Sequence, residues 1–288
     1  MVTLRAMKAS DVPGAVRAWD QSFQAMRATY GLPVSRMTQA DIVRLQNRMR
    51  HFLATDHDGS WVADDAGVIV GLSQSFVREG YWVLSLLATL PGSQRRGLGR
   101  QLLELALSNA DPLGPGTIQC SRDPAAMALY TSAGFSLHPV VVGYGTVSPG
   151  TVSRDPRVRR AHEQEIDVVE AVDRHVRGSA RSVDIVAMLK EPGSRLLLLE
   201  DRGYAVAKDD RIVTLGACDE EAATALLRTA LAEMGGNEVV EVNWLTARQQ
   251  WAIRTLVAAG VELSPYGPVM VRGLAAPPSP YIPSGGYG

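Results

Sequence analysis

Cysteine is scarce: Cys120 and Cys218 are the two in 288 residues. Two thiols build neither a disulfide framework nor a cysteine-ligated zinc cluster, so no metal centre is expected. Neither sign of charge predominates, with 29 basic and 30 acidic side chains and a net charge of −1. That balance excludes the broad basic field of a sequence-blind nucleic-acid binder. No apolar run approaches the roughly 20 residues of a membrane helix. Arg5 and Lys8 interrupt the opening segment, Met1 to Ser10, which therefore lacks the apolar stretch of a signal peptide. With 46% hydrophobic and 20% charged residues, the chain is also too apolar to remain disordered. A cytoplasmic globular protein is expected, with no nucleic-acid or membrane partner. At about 150 residues per domain, its length suggests two domains.

The order of elements is mixed. A strand over Val2 to Ala6 precedes a helix expected to start at Ser10-Asp11, with Ser10 as N-cap. A second helix is expected over Thr38 to Leu53. Three strand-like runs follow, Ser60–Asp64, Val68–Val77 and Tyr81–Leu90, separated by turn sequences at Asp65-Ala66-Gly67 and Glu79-Gly80. They read as an antiparallel meander. Next come a helix over Gly97–Ala110, a strand over Thr117–Cys120, a helix over Asp123–Ala133, and closing strands within Phe135–Val147. Thr146 to Pro156 is rich in Pro, Gly and Ser and reads as a linker. The order then recurs. A helical stretch over Glu163–Leu189 precedes strands at Arg195–Glu200, Tyr204–Lys208 and Arg211–Leu215. A helix over Asp219–Met234, a strand over Val239–Trp244 and a helix over Thr246–Ala259 complete the series. Leu102 and Leu226 stand 124 residues apart, Gly134 and Gly260 126 apart, so one offset of about 125 registers two copies.

The residues that suggest chemistry are Gln94-Arg95-Arg96-Gly97-Leu98-Gly99, between a strand and a helix. A glycine turn opening a helix exposes backbone N–H groups and the positive end of the helix dipole, a seat for phosphate or pyrophosphate. Arg95 and Arg96 add charge. The run matches neither a P-loop nor the dinucleotide fingerprint. A later helix carries Ala126, Leu129 and Tyr130, followed by Gly134-Phe135.

These two segments together resemble the GCN5-related N-acetyltransferases, or GNAT superfamily. Gln94, Gly97 and Gly99 match that family's acyl-CoA loop. Ala126, Leu129, Tyr130, Gly134 and Phe135 match its later helix. The resemblance implies an α+β fold of two tandem GNAT-like domains, each a mixed, mostly antiparallel sheet flanked by helices. The domains are expected at 1–147, catalytic, and 160–273, degenerate. They would be joined by a linker at 148–159 and followed by a Pro/Gly/Ser/Tyr-rich tail at 274–288. Acetyl-CoA would be the acyl donor. Its pyrophosphate would lie on Gln94, Arg95, Arg96, Gly97, Leu98 and Gly99, and its pantetheine arm along Leu87, Ala88 and Thr89. Tyr130 would act as general acid, and a primary amine, expected to be a small molecule, would be the acceptor. Asp123 stands where relatives often place an asparagine that contacts the cofactor. The general base is open among Glu79, Asp20 and a relayed water, because Tyr81–Leu90 carries no carboxylate, only Ser85 and Thr89. His138 reads as a loop histidine.

In the second copy, Cys218-Asp219-Glu220-Glu221-Ala222-Ala223 falls where the first has Gln94–Gly99, and Leu256 falls where the first has Tyr130. Three carboxylates would repel pyrophosphate and leucine has no proton to give, so one active site is expected. A tail docked on the acceptor cleft could bring Tyr281, Tyr287 or the terminal carboxylate to it. The alternative to an enzyme is a non-catalytic acyl-CoA-binding or sensing protein.

Overall fold

The computed structural model describes residues 1–34, 36–94, 97–234 and 239–288. The chain divides into two units, Met1–Pro115 and Gly116–Gly288.

In the first unit, β1 (Val2–Ala6) leads to helices α1 (Val12–Thr29) and α2 (Gln39–Thr55). The strands β2 (Ser60–Asp65), β3 (Val68–Arg78) and β4 (Tyr81–Thr89) follow, then helix α3 (Leu98–Leu107). β1 to β4 pair antiparallel in sequence order. Both hairpin turns place two successive residues at positive φ, Ala66 and Gly67 (52° and 89°) and Glu79 and Gly80 (47° and 82°). This turn geometry matches the twist of the strands it joins. Thr38 caps α2: its Oγ1 accepts from the Asp41 N–H, and Asp41 accepts back from the Thr38 N–H. At α1 the expected N-cap is displaced. A single 3-10 turn, Ala9–Asp11, precedes the helix, and it is Asp11, not Ser10, that accepts the Lys8 N–H at 2.7 Å. Asp11 prevails because Arg5 also grips it at 2.6 and 2.9 Å.

One core forms where Val12, Ala15, Val16, Leu45 and Met49 of α1 and α2 meet Leu72, Leu86 and Ala88 of the sheet. On the other face, Leu98 and Leu102 of α3 pack with Ala63 and Val70. The end of α3 is tied down: Ser75 Oγ and Trp82 Nε1 donate to the Ala106 carbonyl at 2.8 and 2.9 Å, and Ser73 Oγ donates to that of Leu102 at 2.9 Å. The bonds to Ala106 satisfy a carbonyl at the helix end, and together with the one to Leu102 they fix the helix axis on the sheet.

Arg5 also bonds Asp64 at 2.8 Å, and the Arg5 guanidinium holds both Asp11 and Asp64 below the usual carboxylate range. A carboxyl depressed in the folded state adds stability above its unfolded value near 4 and loses it as pH falls through the folded value. Melting temperature should therefore drop between about pH 5 and pH 3. The Arg5→Gln variant should show a smaller drop, with its loss at neutral pH limited to roughly 2–4 °C. Scanning calorimetry at pH 5, 4 and 3 checks this; equal acid dependence in both proteins would contradict it.

The second unit begins with β5 (Gly116–Gln119), α4 (Pro124–Ser132), β6 (Ser136–His138) and β7 (Val140–Thr146). It continues through β8 (Arg159–Ala161), α5 (Ile166–Arg177), α6 (Ser182–Leu189), β9 (Arg195–Leu199), β10 (Gly203–Ala207) and β11 (Ile212–Ala217). Helix α7 (Glu220–Met234), β12 (Val239–Thr246), α8 (Gln250–Ala258), β13 (Glu262–Pro265), β14 (Val269–Arg272) and β15 (Tyr281–Ile282) complete it. The single helical stretch expected over Glu163–Leu189 is two helices, because Gly178 adopts φ 77° and ends α5. The repeat is visible in matched stops: α4 and α8 end before Gly134 and Gly260, at φ 86° and 79°. β9, β10 and β11 form an antiparallel meander, as β2, β3 and β4 do.

The closing strands are exchanged. β7, expected among the closing strands of the first copy, lies antiparallel between β12 and β13 of the second. Conversely, β14 lies between β5 and β6. Each copy thus supplies the strand that fills the other's gap. Gly143 is required in β7, since a Cβ there would stand 2.7 Å from Leu256 Cδ1.

Candidate functional site

β4 carries a bulge. Its pairing with β3 steps from Gln74↔Leu86 to Ser75↔Leu84, leaving Ser85 as the extra residue. Ser85 is buried and, among the described residues, its Oγ has no hydrogen-bond partner; neither does the buried Oε1 of Gln74. Beyond the bulge, Ala88 is buried while Leu87 and Thr89 are half-buried. The Thr89 carbonyl accepts from Ser22 Oγ of α1 at 2.8 Å and from Gln94 Nε2 at 3.3 Å. Gln94 is thus folded back onto the end of β4. Arg95 and Arg96 lie outside the described residues.

Gly97 is the N-cap of α3, at φ 76°, and, being glycine, offers no side chain to cap the helix. The first intrahelical bond runs from the Gln101 N–H to the Gly97 carbonyl at 3.1 Å. The amides of Leu98, Gly99 and Arg100 therefore have no acceptor within the helix itself. The Leu98 side chain is buried in the core, so its contribution to a ligand is its backbone. A Cβ at Gly97 would meet nothing within 4 Å. What glycine supplies there is the left-handed backbone, not room. An uncapped helix end of this kind suits an anion.

Tyr130 and Asp123 belong to the second unit. Asp123 caps α4, its Oδ1 accepting the Ala125 N–H at 2.9 Å, so that oxygen is engaged within its own helix. Tyr130 is buried on α4. Among the described residues its hydroxyl has no hydrogen-bond partner. Burial, and then the neighbouring Cys120 and Asp123, push its hydroxyl well above the ordinary tyrosine range. The same causes, burial and then Asp123, push the Cys120 thiol up to about 12. Cys120 is therefore a thiol at neutral pH and a poor covalent acyl carrier.

Of the residues considered as base, Glu79 is exposed in the turn at the end of β4 remote from Gln94. Asp20 is half-buried on α1 and accepts from Gln24 Nε2 at 2.7 Å. His138, expected at the surface or in a loop, lies in β6 with Nε2 buried and, among the described residues, unpartnered. Burial, and then the charge of Arg248, lower its pKa. Sequence reasoning missed the orphan oxygens of Ser85 and Gln74. A bulge leaves no mark in a strand this uniformly apolar.

In the second copy, the chemistry is replaced. The N-terminus of α7 is closed by its own carboxylates: Asp219 Oδ1 accepts the Ala222 N–H at 2.9 Å, and Arg202 binds Asp219 and Glu221 at 2.8 and 2.6 Å. Leu256, the counterpart of Tyr130, is core. Tyr281 and Tyr287 are buried within the second unit, near Arg181.

No helix among the described residues is long and apolar enough to cross a membrane. Nor does any group of three or more His, Cys, Asp and Glu among them stand ready to hold a metal ion.

Residues 35–141 match the family model described as an acetyltransferase (GNAT) domain. No curated protein sequence matches the chain. Among solved structures, the chain is similar to a candidate acetyltransferase from Pyrococcus horikoshii, at 18% identity and TM-score 0.76, covering 100% of this chain and 96% of that one. It is also similar to a tandem GNAT protein from the clavulanic acid biosynthesis pathway, at 16% identity and TM-score 0.56, covering 96% and 100%. A GCN5-related N-acetyltransferase from Sphaerobacter thermophilus aligns at 13% identity and TM-score 0.58, covering 94% and 95%. At these identities the likeness shows the fold: an α+β chain of two tandem GNAT-like domains.

Proposed function

We propose that this chain, whose residues 35–141 carry a GNAT acetyltransferase domain, transfers an acetyl group from acetyl-CoA to a primary amine of a small molecule, with Tyr130 as general acid. The observation that carries the reading is the N-terminus of α3, which starts at the left-handed Gly97 just beyond β4 with no N-cap side chain on its amides.

The donor fits the residues present. The amides of Leu98, Gly99 and Arg100 and the side of the Gln94 loop, with Arg95 and Arg96, would hold the pyrophosphate. The strand end Leu87–Thr89 would take the pantetheine arm by backbone pairing, and the catalytic domain would correspond to residues 1–147. Acetyl-CoA supplies a thioester whose carbonyl carbon an amine attacks directly, so that a C–N bond forms and the C–S bond breaks. Tyr130 carries its proton throughout the neutral range, because burial disfavours the phenolate. It therefore holds a proton to share with the departing sulfur as negative charge builds there; passing it on leaves a phenolate that burial disfavours, so the transfer is completed by reprotonation from solvent. The raised Cys120 thiol argues for this direct transfer over an acyl-cysteine route. The Ser85 hydroxyl and Gln74 Oε1, buried without partners among the described residues on β4 and β3, are assigned the water that would take up the amine proton. This reading needs no carboxylate on β4. Asp123, engaged as helix cap, is assigned the weaker part of the cofactor contact.

A thiol-release assay over a panel of small primary amines with acetyl-CoA tests the reading. Turnover with at least one amine, and acetylated product by mass, is expected. Tight acetyl-CoA binding with no turnover on any amine would instead select the non-catalytic sensor.

A further inference from the structure

The last residues of the sequence read as a flexible tail, yet Tyr281–Ser284 and Gly286–Gly288 are buried. They enter the second unit as a strand. β15 pairs antiparallel with β11, Ile282 opposite Leu215 and Tyr281 opposite Gly216. The Ala217 N–H donates to the Pro280 carbonyl at 3.1 Å, and Thr214 Oγ1 donates to that of Ile282 at 2.9 Å. β11 is the last strand of its meander and runs into α7, as β4 is the last of its own and precedes α3. Leu215–Ala217, at the end of β11, therefore correspond to Leu87–Thr89 at the end of β4. The segment occupies the strand edge on which the first copy is proposed to hold the pantetheine arm.

The far end of the segment is gripped by one side chain. Arg181 is buried at the start of α6 and uses all five of its N–H groups. Nε donates to Asp173 at 3.2 Å, and Nη2 donates to Tyr204 Oη at 3.1 Å and to Thr214 Oγ1 at 2.7 Å. Nη1 donates to the Tyr287 carbonyl at 3.0 Å and to that of Gly288. Tyr281 Oη donates to the same Gly288 carbonyl at 2.7 Å, and its ring lies under the guanidinia of Arg177 and Arg181 at 5.6 and 5.3 Å. Without the segment, one nitrogen of a fully buried guanidinium would have no acceptor, a costly state. The cleft is built around a peptide's carbonyls. At the other end of the same seat, the α7 N-terminus already holds Asp219 and Glu221 with Arg202, and Arg157 reaches Glu221 at 2.5 Å. Nothing there remains for a pyrophosphate.

We propose that the second copy is a peptide-binding module: its former acyl-CoA cleft takes an extended peptide, residues Tyr281–Gly288 of its own chain, as a resident ligand. β11 supplies the strand edge, and Arg181 reads the carbonyls at 287 and 288. The proposal rests on the functional reading only for the correspondence between the ends of β11 and β4. It goes beyond loss of chemistry in the second copy, because it assigns that copy a ligand class and the groups that recognise it.

The test uses the full chain with a protease recognition sequence inserted at the exposed Ala275, folded first and then cut. The cut peptide should stay with the protein through gel filtration at micromolar concentration. A labelled synthetic peptide of residues 278–288 should exchange into the cut protein, whereas a scrambled peptide of the same composition should not. Arg181→Lys, which keeps the charge and loses the fork, should weaken the labelled peptide at least tenfold. If that variant fails to fold, a Tyr281→Phe peptide on the unaltered protein reads the same cleft, with about fivefold weaker binding expected from one lost hydrogen bond. Loss of the cut peptide from a protein that stays folded would overturn the proposal, as would equal binding of the scrambled peptide. A second acetyl-CoA bound after cutting would also overturn it, by showing a blocked cofactor site. If the uncut chain binds no acetyl-CoA at all, the functional reading fails while retention of the peptide still decides this assignment.

Discussion

Tyr130→Phe should lower kcat by about 10²- to 10³-fold while leaving acetyl-CoA affinity within about twofold, the range general acid catalysis contributes. Phenylalanine fills the same buried volume on α4, so no cavity opens. The hydroxyl it removes has no hydrogen-bond partner among the described residues, so its loss strands no donor or acceptor. The melting temperature should stay close to that of the unaltered protein, which separates a catalytic role from a structural one. The pH profile gives a second readout. Burial, and then Cys120 and Asp123, raise the Tyr130 hydroxyl, so its proton remains in place above pH 10. The rate should climb with pH as the acceptor amine loses its proton and show no falling limb from Tyr130 below about pH 10. A variant retaining more than a third of the wild-type kcat would remove Tyr130 from the mechanism.

Gly97→Glu should weaken acetyl-CoA binding at least 100-fold. Two effects combine. The φ of 76° costs a side-chain-bearing residue roughly 1–2 kcal/mol. The larger effect is a carboxylate at the positive end of α3, where it competes with and repels pyrophosphate. The Cβ itself meets no neighbour within 4 Å, so the effect comes from the backbone conformation and the carboxylate rather than from crowding at Cβ. Gly97→Ala isolates the strain, and a loss of only about tenfold is expected from it. The second copy displays the same substitution in its native form: Asp219 and Glu221 close the N-terminus of α7 with Arg202. If Gly97→Glu binds acetyl-CoA as tightly as Gly97→Ala, the anion does not sit at that helix end.

Local chemistry made much of this legible. Two-residue turns ending in glycine mark the meander at Ala66-Gly67 and Glu79-Gly80, and Thr38 with Asp41 announces the start of α2. The loop at Gln94–Gly99 and the helix carrying Tyr130 stand out because their glycines and aromatic residue have few substitutes. The exchange of β7 and β14 left no such trace. Val140–Thr146 is an apolar, β-branched run that suits any unpaired edge, and its choice between β6 and β12 rests on contacts more than 100 residues away, such as Gly143 against Leu256. Residues 281–288 misled for a related reason. Pro, Gly and Ser suggest a loose chain, but order comes from Arg181, Tyr204 and Thr214, all distant in sequence. The break at Gly178 has a local signal, since a glycine a little past the middle of a helical stretch is a ready C-terminal stop.

The central claim is one working donor site in a chain of two similar copies. Isothermal titration of the intact protein with acetyl-CoA tests it most directly. One mole bound per mole of chain, abolished or weakened at least 100-fold in Gly97→Glu, is the predicted result. No binding, or two moles per chain, would contradict it.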